Sequence, residues 1–128
     1  MNRVLYVEDD AEHCLMLSNI LTSQGFTVET ARNGLEGVEK ARVWQPDVIL
    51  LDLLLPHMDG FGVMVSLKED PTTQNIPILV ISAWPTADNR KRVQVAGAQG
   101  FIAKPFQTQE LVNAIRESLP QAEELKTD

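Results

Sequence analysis

Cys14 is the single cysteine of this 128-residue chain. An internal disulfide is therefore excluded, and a reducing compartment, with the cytoplasm as the expected location, fits best. Long apolar runs are missing as well. The longest, Val48–Leu51 and Ile76–Ile81, fall far short of the roughly 20 residues that span a bilayer. The first apolar run ends at Glu8 with no cleavable small-residue site behind it, so a secretory signal is not expected. Positive charge is in deficit: 11 Lys and Arg face 18 Asp and Glu, a formal net charge of −7. A chain this acidic repels nucleic acid and anionic lipid, so neither is expected as a direct partner.

What is present is the length of one ordinary domain, enough to bury roughly two-thirds of the unfolded surface. Short β-rich apolar runs alternate with helical patterns. Strands are expected at Val4–Val7, Thr27–Thr30, Val48–Leu51, Ile78–Ile81 and Phe101–Ala103, with helices at Ala11–Gln24, Gly34–Val43, Gly60–Glu69, Thr86–Ala96 and Gln107–Leu119. Gly25 and Gly97 sit where helices end. Asn33, with Glu36 three positions on, has the pattern of a capping box. The runs at Val48–Leu51 and Ile78–Ile81 are apolar on both faces, as buried parallel strands must be. Strict β-α alternation predicts an α/β fold, a doubly wound parallel sheet covered by helices on both sides. The domain is expected over residues 1–120, with residues 121–128 a polar tail that carries no effector.

Doubly wound sheets bind ligands beyond the carboxyl ends of their strands. Glu8, Asp9 and Asp10 follow the first strand, Asp52 the third, Ser82 the fourth and Lys104 the fifth. Two bare carboxylates ~4 Å apart repel by about 4 kcal/mol at an effective dielectric near 20. Such a cluster needs a cation or must hold a proton at an unusual pH. All-oxygen ligands of this kind suit Mg²⁺ (or Mn²⁺). A carboxylate at the end of a buried strand is equally at home as a turn former. A lysine, a hydroxyl and a metal site beside it make a nucleophile for phosphoryl transfer.

Four segments, Val7-Glu8-Asp9-Asp10, Pro46 to Asp52, Pro56-His57-Met58-Asp59-Gly60 and Ala98 to Phe106, resemble the response-regulator receiver family in order and spacing. The resemblance covers about Arg3 to Leu119 and implies a five-stranded sheet of order 2-1-3-4-5. It implies Asp52 as phosphoacceptor, supplied by a histidine kinase or histidine phosphotransfer protein. Glu8 and Asp9, with Asp52 and the backbone carbonyl of Leu54, would hold the metal, Asp9 directly and Glu8 through water. Ser82 would be the switch hydroxyl, Lys104 the phosphoryl contact and Lys104–Pro105 a cis peptide. Phe101 matches the aromatic switch position, where a phenylalanine acts by size alone. Output through the fourth helix, fifth strand and fifth helix to an effector protein is implied, with the chain a monomer or weak dimer. Leu54 and Trp84 would line the path of hydrolytic water, and neither can position it.

Other residues read as structural. His13 falls in the arc of Met16, Leu17, Ile20 and Leu21, so a partly buried histidine is expected, with Cys14 as packing and Leu15 exposed as a candidate partner contact. His57 has no metal-ligand spacing to His13. Gly60 is expected to supply a turn geometry that other residues resist. The run Arg90-Lys91-Arg92 reads as a solvated helix face. A flavin site is rejected because Glu8-Asp9-Asp10 would repel a phosphate, and a phosphohydrolase because Leu54 replaces the second carboxylate. A receiver module excised from a transcription regulator or hybrid kinase remains the alternative.

Overall fold

A computed structural model of the chain describes residues 2–53 and 59–119. Among them, five strands and five helices strictly alternate: β1 Arg3–Val7, α1 Ala11–Ser23, β2 Thr27–Ala31, α2 Gly34–Trp44, β3 Val48–Asp52, α3 Gly60–Glu69, β4 Ile78–Ser82, α4 Ala87–Val95, β5 Gly100–Ala103 and α5 Thr108–Ser118. All strand pairs are parallel, in the order β2-β1-β3-β4-β5. The expected fold class and strand order are those observed. The expectations for Leu54, His57 and the polar tail lie outside the described residues.

The hydrophobic pattern explains why this sheet has two covered faces. Every residue of β3 and β4 is buried, whereas the edge strand β2 alternates and only Ala31 is buried. Side chains of a strand alternate between faces. Accordingly Val4, Tyr6, Leu50 and Ile81 meet Leu17 and Leu21 of α1 and Leu111 and Ile115 of α5 on one side. Leu5, Val7, Ile49, Leu51 and Val80 meet Ala41 of α2, Val63, Met64 and Leu67 of α3, and Val93 of α4 on the other. Burying one such leucine or isoleucine contributes roughly 1.5–3 kcal/mol. The sheet is thereby fixed in register, because slipping one strand by a residue would exchange its two faces.

Local signals set the helix ends. Asp10, Asn33, Asp59 and Thr86 each accept a backbone N–H with their side chain at the start of α1, α2, α3 and α4. In α2 the reciprocal bond of the capping pattern is displaced by one residue: Glu36 accepts the amide of Arg32, not that of Asn33. Gly25 and Gly97 adopt φ of +96° and +105°, the left-handed geometry glycine tolerates.

Two expectations are corrected. The buried stripe of α1 is Cys14, Leu17 and Leu21, so His13 and Met16 fall outside it and are exposed. Gly60 does not need an unusual φ; a Cβ there would lie 2.7 Å from Leu53 Cα, so its constraint is crowding. Arg90, Lys91 and Arg92 are exposed, as expected of a solvated helix face, and the guanidinium groups of Arg90 and Arg92 also lie 4.7 Å and 4.1 Å from the ring centroids of Phe101 and Phe61. Val93 is the buried residue of α4, and the two stacks add contacts from the helix to β5 and α3.

Candidate active site

The parallel register gathers the chemistry-bearing residues at one edge of the sheet. Val7 lies beside Leu51, Asp52 beside Ile81, and Ser82 beside Ala103. Glu8 and Lys104, each one residue past its strand, continue the ladder: Glu8 N donates to Ala31 O at 2.9 Å and Lys104 N to Ser82 O at 2.8 Å. Asp52 and Ser82 are the last residues of their strands rather than the first of the following loops. Glu8, Asp9, Asp52, Ser82, Trp84 and Lys104 line a cleft of about 670 Å³.

Lys104 is the centre of the polar network. Its Nζ donates to Asp52 Oδ2 at 2.8 Å and to Glu8 Oε1 at 3.4 Å. The buried Tyr6 hydroxyl also donates to Glu8 Oε1, at 3.0 Å, and the Asp10 amide donates to Glu8 Oε2 at 3.3 Å. His13 Nδ1 lies 3.6 Å from Glu8 Oε1. Burial, then the charge of Asp52, pushes the Glu8 carboxyl above its ordinary range, with Lys104 and Tyr6 pulling it back. Burial works against the Lys104 ammonium, but the hydrogen bond and charge of Asp52, then those of Glu8, outweigh it and raise its pKa.

Ser82 is buried, and its hydroxyl accepts the Trp84 amide at 3.0 Å. The Trp84 carbonyl in turn accepts from Asn89 Nδ2, at 3.0 Å, in the first turn of α4. A short path of hydrogen bonds thus runs from the cleft to α4. Trp84 itself is half exposed. Asp9 lies exposed at the rim, while Asp10 is spent capping α1 through the amides of Glu12 and His13. Phe101 is half-buried against the second core, under Arg90. Lys104–Pro105 is cis. Cys14 is buried and donates to the Glu8 carbonyl at 3.3 Å, a packing role as expected.

Among the described residues, no three acidic, histidine or cysteine side chains form a ready-made ion cage. The donor set nevertheless suits a hard cation. Glu8 is a buried carboxylate disfavoured as an anion by Asp52, and oxygen ligands completed by water are what Mg²⁺ accepts. Both Glu8 oxygens already accept protein donors.

Two neighbours of the site, Tyr6 and His13, are not among the candidates that the sequence motifs single out. Tyr6 stands two residues before Glu8, and the two-residue period of a strand puts both on the same face, so the sequence does carry a signal for it. His13 reads as a core residue because Met16 and Ile20 make the apolar arc look wider than it is.

A doubly wound sheet with an acidic, lysine-bearing cleft at its carboxyl edge defines the class. The chain belongs to the response regulator receiver domain family, which it matches over residues 4–116, and is thus a signalling domain of two-component systems. It is 34% identical over 116 residues to the DNA-binding dual master transcriptional regulator RpaA of Synechocystis sp., covering 91% of this chain and 48% of that protein. It is 29% identical to the polar-differentiation response regulator DivK of Brucella anthropi, covering 93% of this chain and 97% of DivK. The chain therefore spans about half the length of the first relative and nearly all of the second. The chemotaxis protein CheY4 of Vibrio cholerae superposes with a TM-score of 0.88 at 30% identity, over 93% of this chain and 99% of that one. The receiver domain of the sensor histidine kinase PA1611 of Pseudomonas aeruginosa, which holds a magnesium ion in its active-site cleft, superposes with a TM-score of 0.84 at 27% identity, covering 91% and 95% of the two chains. Among the described residues, no helix is long and apolar enough to cross a membrane.

Proposed function

We propose that Asp52 accepts a phosphoryl group from a histidine kinase or histidine phosphotransfer protein, and that the chain reports it by changing its protein-docking surface. The observation that carries this reading is Lys104 Nζ at 2.8 Å from Asp52 Oδ2, in a cleft shared with Glu8 and Ser82. A carboxylate oxygen of Asp52 attacks phosphorus, the P–N bond to the donor imidazole breaks, and the imidazole leaves with the bonding pair. Lys104 moves its hydrogen bond from the carboxylate to a phosphoryl oxygen, offsetting its charge. Mg²⁺, when bound, neutralises the remaining charge on the phosphoryl oxygens. Glu8, Asp9 and Asp52 are the side chains that would hold it, and the Leu54 carbonyl is a further ligand by family resemblance.

Once the phosphoryl group is present, the Ser82 hydroxyl turns to donate to it and no longer accepts from Trp84. Asn89 is tied to that same residue, so the first turn of α4 feels the change. Space near Ser82 then admits Phe101, and the surface of α4, β5 and α5 differs between the two states. Trp84 at the cleft carries no side-chain acceptor that would take a proton from a hydrolytic water. The 48% coverage of the transcription regulator favours a second reading, in which the same switch serves as the receiver portion of a longer protein.

Incubation with acetyl phosphate and Mg²⁺, followed by intact-mass measurement, tests the reading. The parent should gain one phosphoryl mass and Asp52→Asn should gain none. A parent without adduct, or an equally modified Asp52→Asn, would overturn it. Mg²⁺ alone should raise the melting temperature, because it binds only the folded carboxylate cluster. At ten times Kd the gain is about 1.4 kcal/mol, on the order of 5 °C for a chain this size. Asp9→Asn should remove most of that response, and an unchanged response would place the ion elsewhere.

A further inference from the structure

The buried phenol beside the acidic pair has no part in the phosphoryl chemistry just described. Tyr6 is 3% exposed and Glu8 is 3% exposed, and the O–H···O bond between them is 3.0 Å long. Both side chains leave the sheet on the same face because they are two residues apart on one strand and its extension. Tyr6 is buried in the first core, in the same cluster as Leu17 of α1 and Leu111, Val112 and Ile115 of α5, and its hydroxyl bonds to Glu8. Phenylalanine would fill the same space without the hydroxyl. The hydroxyl must therefore be explained by what it touches.

We infer that Tyr6 is a positioning residue for the divalent ion: its hydroxyl holds Glu8 Oε1 so that the carboxylate faces the cleft in one rotamer. This inference rests on the phosphoacceptor reading of the cleft. Three side-chain torsions set where the Glu8 carboxylate lies and how it faces, and without a fixed donor the group would pair fully with Lys104, which already lies 3.4 Å away. Such a collapse would draw Lys104 off Asp52 and turn Glu8 from the ion's water shell. The Tyr6 donor and the Asp10 amide instead hold the two Glu8 oxygens from opposite ends. Partners behind a metal-bound ligand commonly set affinity by fixing that ligand's orientation.

Tyr6→Phe tests this on the whole chain, with Mg²⁺ affinity read by calorimetry. The variant is expected to bind Mg²⁺ about 10-fold more weakly while its metal-free melting temperature stays close to the parent's. Acetyl phosphate labelling should be slow at limiting Mg²⁺ and return to the parent rate at saturating Mg²⁺. Tyr6 is the only tyrosine, so the ultraviolet Raman signal of its hydroxyl should shift when Mg²⁺ is added to the parent. Unchanged affinity in Tyr6→Phe would overturn the inference, as would a labelling defect that saturating Mg²⁺ does not repair. A parent that binds Mg²⁺ and labels normally beside a variant of equal affinity sinks the positioning role alone. A parent that does neither sinks the site reading and this inference with it.

Discussion

Lys104→Ala should destabilise the metal-free protein by about 2–3 kcal/mol, and Asp52→Asn in the same molecule should recover most of that loss. The expectation follows from what the ammonium separates. Glu8 and Asp52 are both buried and share Lys104 as their cation, at 3.4 Å and 2.8 Å. Removing one partner from a fully buried pair costs about 3–5 kcal/mol because a charge is left uncompensated. The cleft is open and the lysine side chain keeps 25% of its exposure, so solvent screening lowers the figure. The pH dependence has a definite sign. A Glu8 carboxyl whose folded pKa is raised gives stability that is present below its unfolded value and lost as pH rises through the folded value. Without Lys104 that upward push is stronger, so the variant's deficit should shrink as pH falls toward the ordinary glutamate range. The raised Lys104 pKa in the parent acts at the other end: its contribution is present below the unfolded lysine value and fades as pH rises above it. Urea unfolding of the parent, both single variants and the double variant, in chelator, measures the coupling. Additive costs would mean that Lys104 does not compensate these carboxylates. Added Mg²⁺ should narrow the gap, since it supplies the missing positive charge.

Much of this network is legible in the order of the residues alone. The β-α alternation says which residues terminate strands, and parallel strands in a doubly wound sheet necessarily bring those ends together. Glu8, Asp52, Ser82 and Lys104 are therefore neighbours for topological reasons that one-dimensional periodicity can carry. Side-chain partners across elements are a different matter. The stacking of Arg92 on Phe61 joins α4 to α3, and that of Arg90 on Phe101 joins α4 to β5. Neither pairing has a sequence spacing to betray it. The exposure of His13 has a geometric cause. Met16 and Ile20 widen the apparent apolar arc of α1, whereas the helix meets the sheet through the narrower row of Cys14, Leu17 and Leu21. His13 is thereby released to the rim of the cleft, beside Glu8.

Gly60 shows the same limit, and its replacement should have an effect comparable to that of Lys104. Gly60→Ala is expected to cost about 2–3 kcal/mol and to slow phosphoryl uptake, although residue 60 lies outside the lining of the cleft. Its backbone is ordinary, and the first turn of a helix would normally welcome alanine by up to about 1 kcal/mol. The obstacle is space. A Cβ would sit 2.7 Å from Leu53 Cα, 3.0 Å from Leu53 Cδ2 and 3.1 Å from the Asp52 carbonyl oxygen. A flexible side chain could move aside, but the nearest of these is backbone. That backbone is also pinned: Gly60 N donates to Leu53 O at 2.8 Å, and Asp59 caps α3 through the Gly62 amide. Overpacking against fixed backbone lies at the upper end of the 1–3 kcal/mol that an inserted methyl group costs, about 3 kcal/mol before the helix gain. Relief requires α3 to shift away from the end of β3, and Leu53 adjoins Asp52. Asp52 would then lose its alignment with Lys104, so rate and stability should fall together. Thermal melts and the acetyl phosphate rate, measured on the same preparation, check both. A stable variant with normal labelling would show that Leu53 yields to the added methyl group more readily than this geometry allows. A variant with a lowered melting temperature but unchanged labelling at low temperature would confine the strain to α3 and leave Asp52 untouched.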